Sequence, residues 1–393
     1  MLRSLFYKHV AQTSDSPMAL EISHGKGNYL FDIHGKKYLD LIAGISVSNV
    51  GHGNPKVIEA IKSQADKHLH TLVYGEHIQT SQTALAQALA ESLPDPVDQI
   101  YFVNSGSEAI EGAMKLAKRY TGRFEIVACH KAYHGSSHGA LSLMGDEDLK
   151  QKFRPLLPGI RHLEFGEVAD LEFITSKTAA IVMETVQGEA GVRIADTSYF
   201  QEVRKRCTEM GCLLILDEIQ TGFGRTGGFW GFEKYGIVPD VVVMAKGMGG
   251  GMPLGAFAAP KSIMECLTRD PVLGHITTFG GHPVSCAASL AALQFIRNEG
   301  LTEQIEGKEK RFHQKLRSTA IKEIRSSGLL MAVELGSFDK VMSVIQYGLK
   351  QGLITDWFLF CNTAIRIAPP LTISLDEIDW ACDVILESLK SGD

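Results

Sequence analysis

The middle of the chain carries short runs that are apolar at nearly every position: "QIYFV" (99–103), "EIVAC" (125–129), "AAIVME" (179–184), "CLLILDE" (212–218) and "VVVMAK" (241–246). A strand with one wet face alternates apolar and polar residues. A continuously apolar run rich in branched side chains predicts a strand covered on both faces, as in a parallel sheet. Helical periodicity lies between several of the runs. In "SEAIEGAMKLAKRY" (107–120), Ile110, Ala113, Met114 and Ala117 recur at the spacing that lines one helix face. Strand, helix, strand in repetition predicts an α/β fold with a mainly parallel central sheet flanked by helices.

The rhythm differs toward both ends. "YLFDIHGKKYLDLIAG" (29–44) alternates on either side of His34 and Gly35 and predicts a hairpin. Beyond residue 285, "SCAASLAALQFIRN" and "LTEQIEGKEKRFHQKL" predict two amphipathic helices, and "LLMAVEL" and "TAIRIAPP" predict short strands. A last helix, "SLDEIDWACDVILESLK", opens with Ser374 and, three residues on, Glu377, a capping box. These patterns divide the chain into a large domain (48–284) and a smaller α+β domain (285–393), with an N-terminal segment (1–47) packing on the smaller one. No internal repeat or low-complexity stretch interrupts them.

Composition narrows the function. Of 393 residues, 45% are hydrophobic and 21% charged, the balance of an ordinary globular protein. Lys and Arg number 39 against 45 Asp and Glu, and no basic run is long enough to track a nucleic-acid backbone, so nucleic acid is not an expected partner. The N-terminus lacks a signal-peptide pattern and no stretch has the length and apolarity of a membrane span, which predicts a cytoplasmic protein with no membrane association. The seven cysteines include no C-x-x-C pair and read as reduced core residues with no metal role.

In open α/β sheets ligands gather at the carboxyl ends of strands, so the residues just after each run are the candidates. "YFV" leads into Asn104, Ser105, Gly106 and Ser107 and then a helix, whose N-terminal N–H groups suit a phosphate. A plain N-cap is the alternative reading of the same residues. No G-x-x-x-x-G-K-[ST] occurs, so this is not a P-loop. "LLIL" ends at Asp217, a carboxylate that needs a partner if buried; it either caps a turn or holds a cationic heteroaromatic nitrogen in its protonated form. "VVVMA" ends at Lys246, which is either a surface lysine reaching out to water or an amine that desolvation turns into a nucleophile for a carbonyl. The glycines of "KGMGGGMPLG" lead to Pro253 and another apolar stretch rather than a helix, which argues against a dinucleotide loop; backbone that must clear a planar ligand beside Lys246 accounts for them better. Phosphate cradle, carboxylate and lysine together are the three fixed points of pyridoxal 5'-phosphate: phosphate on the helix, ring nitrogen on Asp217, aldehyde on the Lys246 amine as a Schiff base.

From about residue 20 to the C-terminus the chain resembles the class III aminotransferases of the pyridoxal-phosphate fold type I group, most specifically in "DEIQTGFGRTG" and "AKGMGGGMPLGA". The resemblance implies that Gly106 and Ser107 hold the phosphate, to which the Ser105 hydroxyl can add a donor, and that Tyr133 stacks on the ring. It places Gln220 on the ring hydroxyl oxygen, and Thr278 on the phosphate bound in the other subunit of a homodimer. It further implies that Arg366 takes a substrate carboxylate, and that Glu189 pairs with Arg366 when the bound substrate has no carboxylate there. Ser136, in "YHGSSHG", stands where acetylornithine, ornithine and 4-aminobutyrate aminotransferases carry an arginine, so the resemblance does not assign the donor. His282 stands where an asparagine is usual. The implied reaction is ping-pong transamination from an amine or amino-acid donor, of the ω-amino kind, to a keto acid such as 2-oxoglutarate. An aminomutase of the glutamate-1-semialdehyde type, or a silent protein of the same fold, are the rival readings.

Overall fold

The computed structural model describes residues 2–390; Met1 and residues 391–393, the outer limits of the two predicted terminal segments, lie outside the described residues. Three sheets organise the chain. The first strands are β1 (Ile22–Lys26), β2 (Tyr29–Asp32) and β3 (Lys37–Asp40), with the predicted hairpin formed by β2 and β3. The middle of the chain supplies β4 (Gln99–Val103), β5 (Glu125–Cys129), β6 (Ile160–Leu163), β7 (Thr178–Glu184), β8 (Leu213–Asp217), β9 (Val241–Met244) and β10 (Gly255–Ala259). The C-terminal part adds β11 (Glu323–Ser327), β12 (Leu330–Glu334), β13 (Leu353–Ile354), β14 (Trp357–Phe358) and β15 (Cys361–Ile367).

The central sheet runs in the order β4-β10-β9-β8-β7-β5-β6. From β9 to β6 every pairing is parallel, and β10 alone runs antiparallel to both of its neighbours. The five apolar runs are strands of this sheet, and β7, β8 and β9 are buried at every position. Each large aliphatic side chain so covered contributes on the order of 2 kcal/mol to folding. Two strands carry no such signature. Edge strand β6 reads "IRHL", and β10 reads "GAFAA", too small and bland to announce itself.

The helix Gly106–Thr121 buries Ile110, Ala113, Met114 and Ala117 on the sheet, as its periodicity predicts, and ends at Gly122 with φ +68°. The helices Pro283–Asn298, Leu301–Lys315 and Leu375–Lys390 also form, the last with the Ser374–Glu377 capping box in place: Ser374 N donates to Glu377 Oε2 at 2.8 Å and Glu377 N to Ser374 Oγ at 3.2 Å. The C-terminal strands build a sheet of order β11-β12-β15-β14. Strand β13 instead joins the N-terminal sheet, pairing parallel with β3, so the two ends of the chain share one sheet. All seven cysteines are free thiols; five lie in the core, while Cys266 and Cys361 are only half-buried, a correction to the expectation that all are core residues. Among the described residues no helix is long and apolar enough to cross a membrane.

Candidate active site

A cavity of about 520 Å³ opens where the carboxyl ends of β4, β7, β8 and β9 meet, lined by residues 104–107, Glu184, Asp217, Gln220 and Lys246 among others. Four strands thus deliver the residues at their ends to one place, as the parallel topology requires.

The turn after β4 forms the N-cap, the plainer reading of its sequence. Ser105 is the N-cap, its Oγ accepting from Glu108 N at 3.2 Å, and Ser107 Oγ accepts from Ser136 N at 3.2 Å. Each hydroxyl therefore keeps its own proton to donate. The first N–H groups of the helix have no acceptor within it and lie at the positive end of its dipole, so the cap leaves that end free to meet an anion. Tyr133 and Gly135 border the same cavity, and Tyr133 Oη lies 3.2 Å from Ser136 Oγ.

Asp217 ends the fully buried β8. Its Oδ1 accepts from Ile219 N at 2.9 Å, the turn-capping role, and its Oδ2 accepts from His134 Nδ1 at 2.7 Å. Burial pushes the His134 imidazole toward neutrality, but the hydrogen bond and charge of Asp217 outweigh it and raise its affinity for a proton. Glu184, at the end of β7, accepts from Tyr133 N and Gly188 N. Burial pushes its carboxyl up to about 8, with Asp217 adding to the rise and His134 opposing it. Gln220 packs its amide on Gly188, where a Cβ would overlap it, and its Nε2 is buried without a partner among the described residues.

Lys246 follows β9 with φ +48°, a left-handed backbone that costs a non-glycine residue about 1 kcal/mol or more. Its side-chain nitrogen has no hydrogen bond or ion pair among the described residues. Burial lowers its pKa, against the opposing pull of Glu189 and Asp217. The glycines beside it also serve a chain reversal. A 3₁₀ turn, Lys246–Gly249, leads into Gly250 and Gly251 at φ +59° and +98°, where the chain reverses to enter antiparallel β10. Of these residues Gly251 lines the cavity, whereas Gly247 faces Asn49 and Phe223.

Arg366, on β15, is buried and forks onto Glu189: Nη1 donates to Oε1 at 2.8 Å and Nη2 to Oε2 at 2.9 Å. Although burial works upward on Glu189, the guanidinium holds its carboxyl below the usual range. Arg366 Nε donates to Asp356 Oδ1 at 2.9 Å. Thr278 is not in this cavity; it borders a second recess with Asn104, Glu108 and Phe279.

Residues 10–389 match the family model for class III aminotransferases. The chain belongs to that family. Acetylornithine aminotransferase of Methanopyrus kandleri is 38% identical over 374 residues, 94% of each chain. The enzyme of that name from Methanocaldococcus jannaschii is 39% identical over 383 residues, 93% of each. Among solved structures, the ornithine aminotransferase of Toxoplasma gondii is similar with a TM-score of 0.92 at 29% identity, covering 100% of this chain and 94% of that one. An (S)-enantioselective omega-transaminase from Thermomicrobium roseum gives 0.91 at 31% identity, covering 99% and 97%.

As a class III aminotransferase the protein is a pyridoxal-phosphate enzyme of fold type I that passes an amino group to a keto acid. The residues present fit that cofactor. An unpaired lysine amine, an orphaned buried amide nitrogen on Gln220 and an open helix N-terminus border one cavity of suitable size. Two residues of this aminotransferase carry no signal in the sequence. His134 lies in the "AYHG" motif, where Tyr133 draws the attention and a histidine beside it looks ordinary; Asp356 precedes a two-residue strand and has no pattern of its own.

Proposed function

We propose that this class III aminotransferase works by a ping-pong exchange in which Lys246 is both the anchor of pyridoxal phosphate and the proton carrier. The observation that carries the proposal is the unpartnered Lys246 amine, in a cavity shared with the His134–Asp217 pair and the 105–107 turn. Bound there, pyridoxal phosphate would supply a carbonyl group reactive toward amines and a ring able to delocalise negative charge. Ser105, Gly106 and Ser107 would hold its phosphate, Tyr133 would cover its ring, and Gln220 would donate to its hydroxyl oxygen. Asp217, held by His134, would keep a proton on the ring nitrogen. Lys246, made less basic by burial, takes a proton from the donor carbon in one half-reaction and returns one to the acceptor carbon in the other.

Arg366 and Glu189 suit one pocket to two substrates. Paired, they present a neutral wall to a donor without a carboxylate; when Glu189 withdraws, Arg366 binds the carboxylate of a keto acid such as 2-oxoglutarate. A donor with a terminal amine fits this scheme, and the names of the relatives, acetylornithine and ornithine aminotransferase, support it. Ser136 offers a hydroxyl where those donors call for a second cation, so the donor sought is one whose far end is not anionic. Thr278 lies outside the cavity, in a recess beside Asn104, and the family role on a phosphate bound in the other subunit favours a homodimer; a cytoplasmic location belongs to the same reading. So does the division at residues 48 and 285, with the cradle in the larger part and Arg366 in the smaller.

Borohydride treatment with pyridoxal phosphate tests the anchor. The cofactor's mass should appear on the peptide carrying Lys246, and Lys246→Ala should lose both the label and turnover. With donor but no keto acid the enzyme should stop after a single half-reaction and restart on adding an acceptor; continued turnover with donor alone would favour an aminomutase.

A further inference from the structure

We infer that Asp356 is a positioning residue that fixes which edge of the Arg366 guanidinium meets a substrate carboxylate. The inference rests on the carboxylate role of Arg366 proposed above. A guanidinium has a side edge, Nε with Nη2, and an end edge, Nη1 with Nη2, and either can fork onto a carboxylate. Here the side edge is held by the chain just before and within β14. Nε donates to Asp356 Oδ1 at 2.9 Å and Nη2 to Trp357 O at 3.1 Å, while the Phe358 ring lies 4.6 Å from the guanidinium carbon. The backbone fastens the same neighbours, Arg366 N donating to Asp356 O at 2.8 Å. The end edge is held by Glu189, which comes from the loop after β7, a distant part of the chain.

Removal of Glu189 therefore frees the end edge and leaves the side edge tied. Without Asp356 the Nε–H would be open too, and the long side chain could turn either edge toward an incoming anion, losing orientation and the affinity that goes with it. Charge balance does not explain this second carboxylate, because Arg366 is already matched by Glu189. Asp356 is kept at a cost: burial, reinforced by Glu189 and countered by Arg366, pushes its carboxyl up to about 6. A group retained against that penalty, and bonded to the one nitrogen that Glu189 leaves free, acts through placement.

Asp356→Ala and Asp356→Asn separate placement from charge, since the asparagine oxygen accepts the same Nε–H. Two measurements apply: binding of glutarate, a carboxylate that cannot be transaminated, to the cofactor-free protein by calorimetry; and KM of the holoenzyme for a keto acid and for a primary amine lacking a carboxylate. Asp356→Ala should weaken glutarate binding and raise the keto-acid KM about tenfold, the worth of one charge-assisted hydrogen bond. It should leave kcat and the amine KM within about twofold, and Asp356→Asn should stay within about threefold of wild type. Unchanged keto-acid KM and glutarate binding in Asp356→Ala, an equal rise in the amine KM, or an asparagine variant as poor as alanine would each overturn the inference. Arg366→Met distinguishes the levels of failure. If it weakens glutarate binding and Asp356→Ala does not, Asp356 alone is misassigned; if Arg366→Met has no effect either, the proposed function of Arg366 falls.

Discussion

His134 Nδ1 donates to Asp217 Oδ2 across 2.7 Å, with the histidine side chain wholly buried and the aspartate nearly so. The pair ties the "AYHG" turn to the end of β8, so Asp217 cannot rotate without breaking a charge-assisted bond in a place water does not reach. His134→Leu should leave a buried carboxylate uncompensated, costing about 3–5 kcal/mol of stability. It should also cut turnover on the order of a hundredfold, because the charge facing the ring nitrogen is no longer fixed. Denaturant titration and steady-state rates check the two effects; wild-type rates in the variant would remove Asp217 from the role assigned to it.

Glu189 competes with any substrate carboxylate for Arg366. In Glu189→Ala the end edge of Arg366 stands open, and the KM for the keto acid should fall about fivefold, equivalent to roughly 1 kcal/mol. Amine donors without a carboxylate should bind less well, since they would face an open guanidinium end edge with Asp356 left as its carboxylate partner. Separate half-reaction kinetics resolve the two; a rise in the keto-acid KM would contradict the exchange.

Arg225, in the "DEIQTGFGRTG" motif, is buried and donates to Leu329 O at 2.9 Å, to Pro369 O at 2.6 Å and to Asn49 Oδ1 at 2.6 Å. It joins the loop after β8 to the N-terminal and C-terminal parts of the chain. Burial, with no carboxylate among the described residues bonded to the side chain, lowers its pKa to about 9. Arg225→Lys keeps a charge but cannot hold three divergent carbonyl groups, and should lose about 2–4 kcal/mol in a urea titration. A loss too small to measure would show that these contacts are incidental.

Asp356 gives a pH signature of its own. Its folded carboxyl is pushed up to about 6 from an ordinary 3.8, so the folded chain binds that proton more tightly than the unfolded one. The resulting stability is present in full below the unfolded value and is lost as pH rises through the folded one. Relative to Asp356→Asn, the wild type should lose about 1 kcal/mol between roughly pH 5 and pH 7, read from denaturant midpoints. A difference that grows with pH would reverse the sign and refute the assignment.

The strands that frame the cavity are legible in the sequence because they are buried on both faces, which forces continuous apolar runs; β7 and β8 could hardly read otherwise. Edge strand β6 is covered less and tolerates Arg161 and His162, so its sequence carries no such signal. The antiparallel course of β10 is hidden for another reason: direction is set by the turn at Gly250 and Gly251, and glycines in a sequence do not distinguish a chain reversal from clearance for a ligand. Lys246, Asp217 and the 105–107 turn are legible as misfits, polar groups at the ends of apolar runs, and the structure brings them to one cavity. His134 and Asp356 act on other side chains from distant or unpatterned positions, and only the folded chain brings them to their partners.

The pairing of β3 with β13 has a consequence for synthesis. Leu39 N donates to Gly352 O at 2.8 Å and Leu41 N to Ile354 O at 3.0 Å, so during synthesis the hairpin of β2 and β3 must wait until residues 352–354 have been made before its sheet is complete. Until then it presents a bare edge to other nascent chains, and a message truncated shortly before residue 352 would yield a product in which residues 37–41, more than three hundred positions upstream, lack their partner strand.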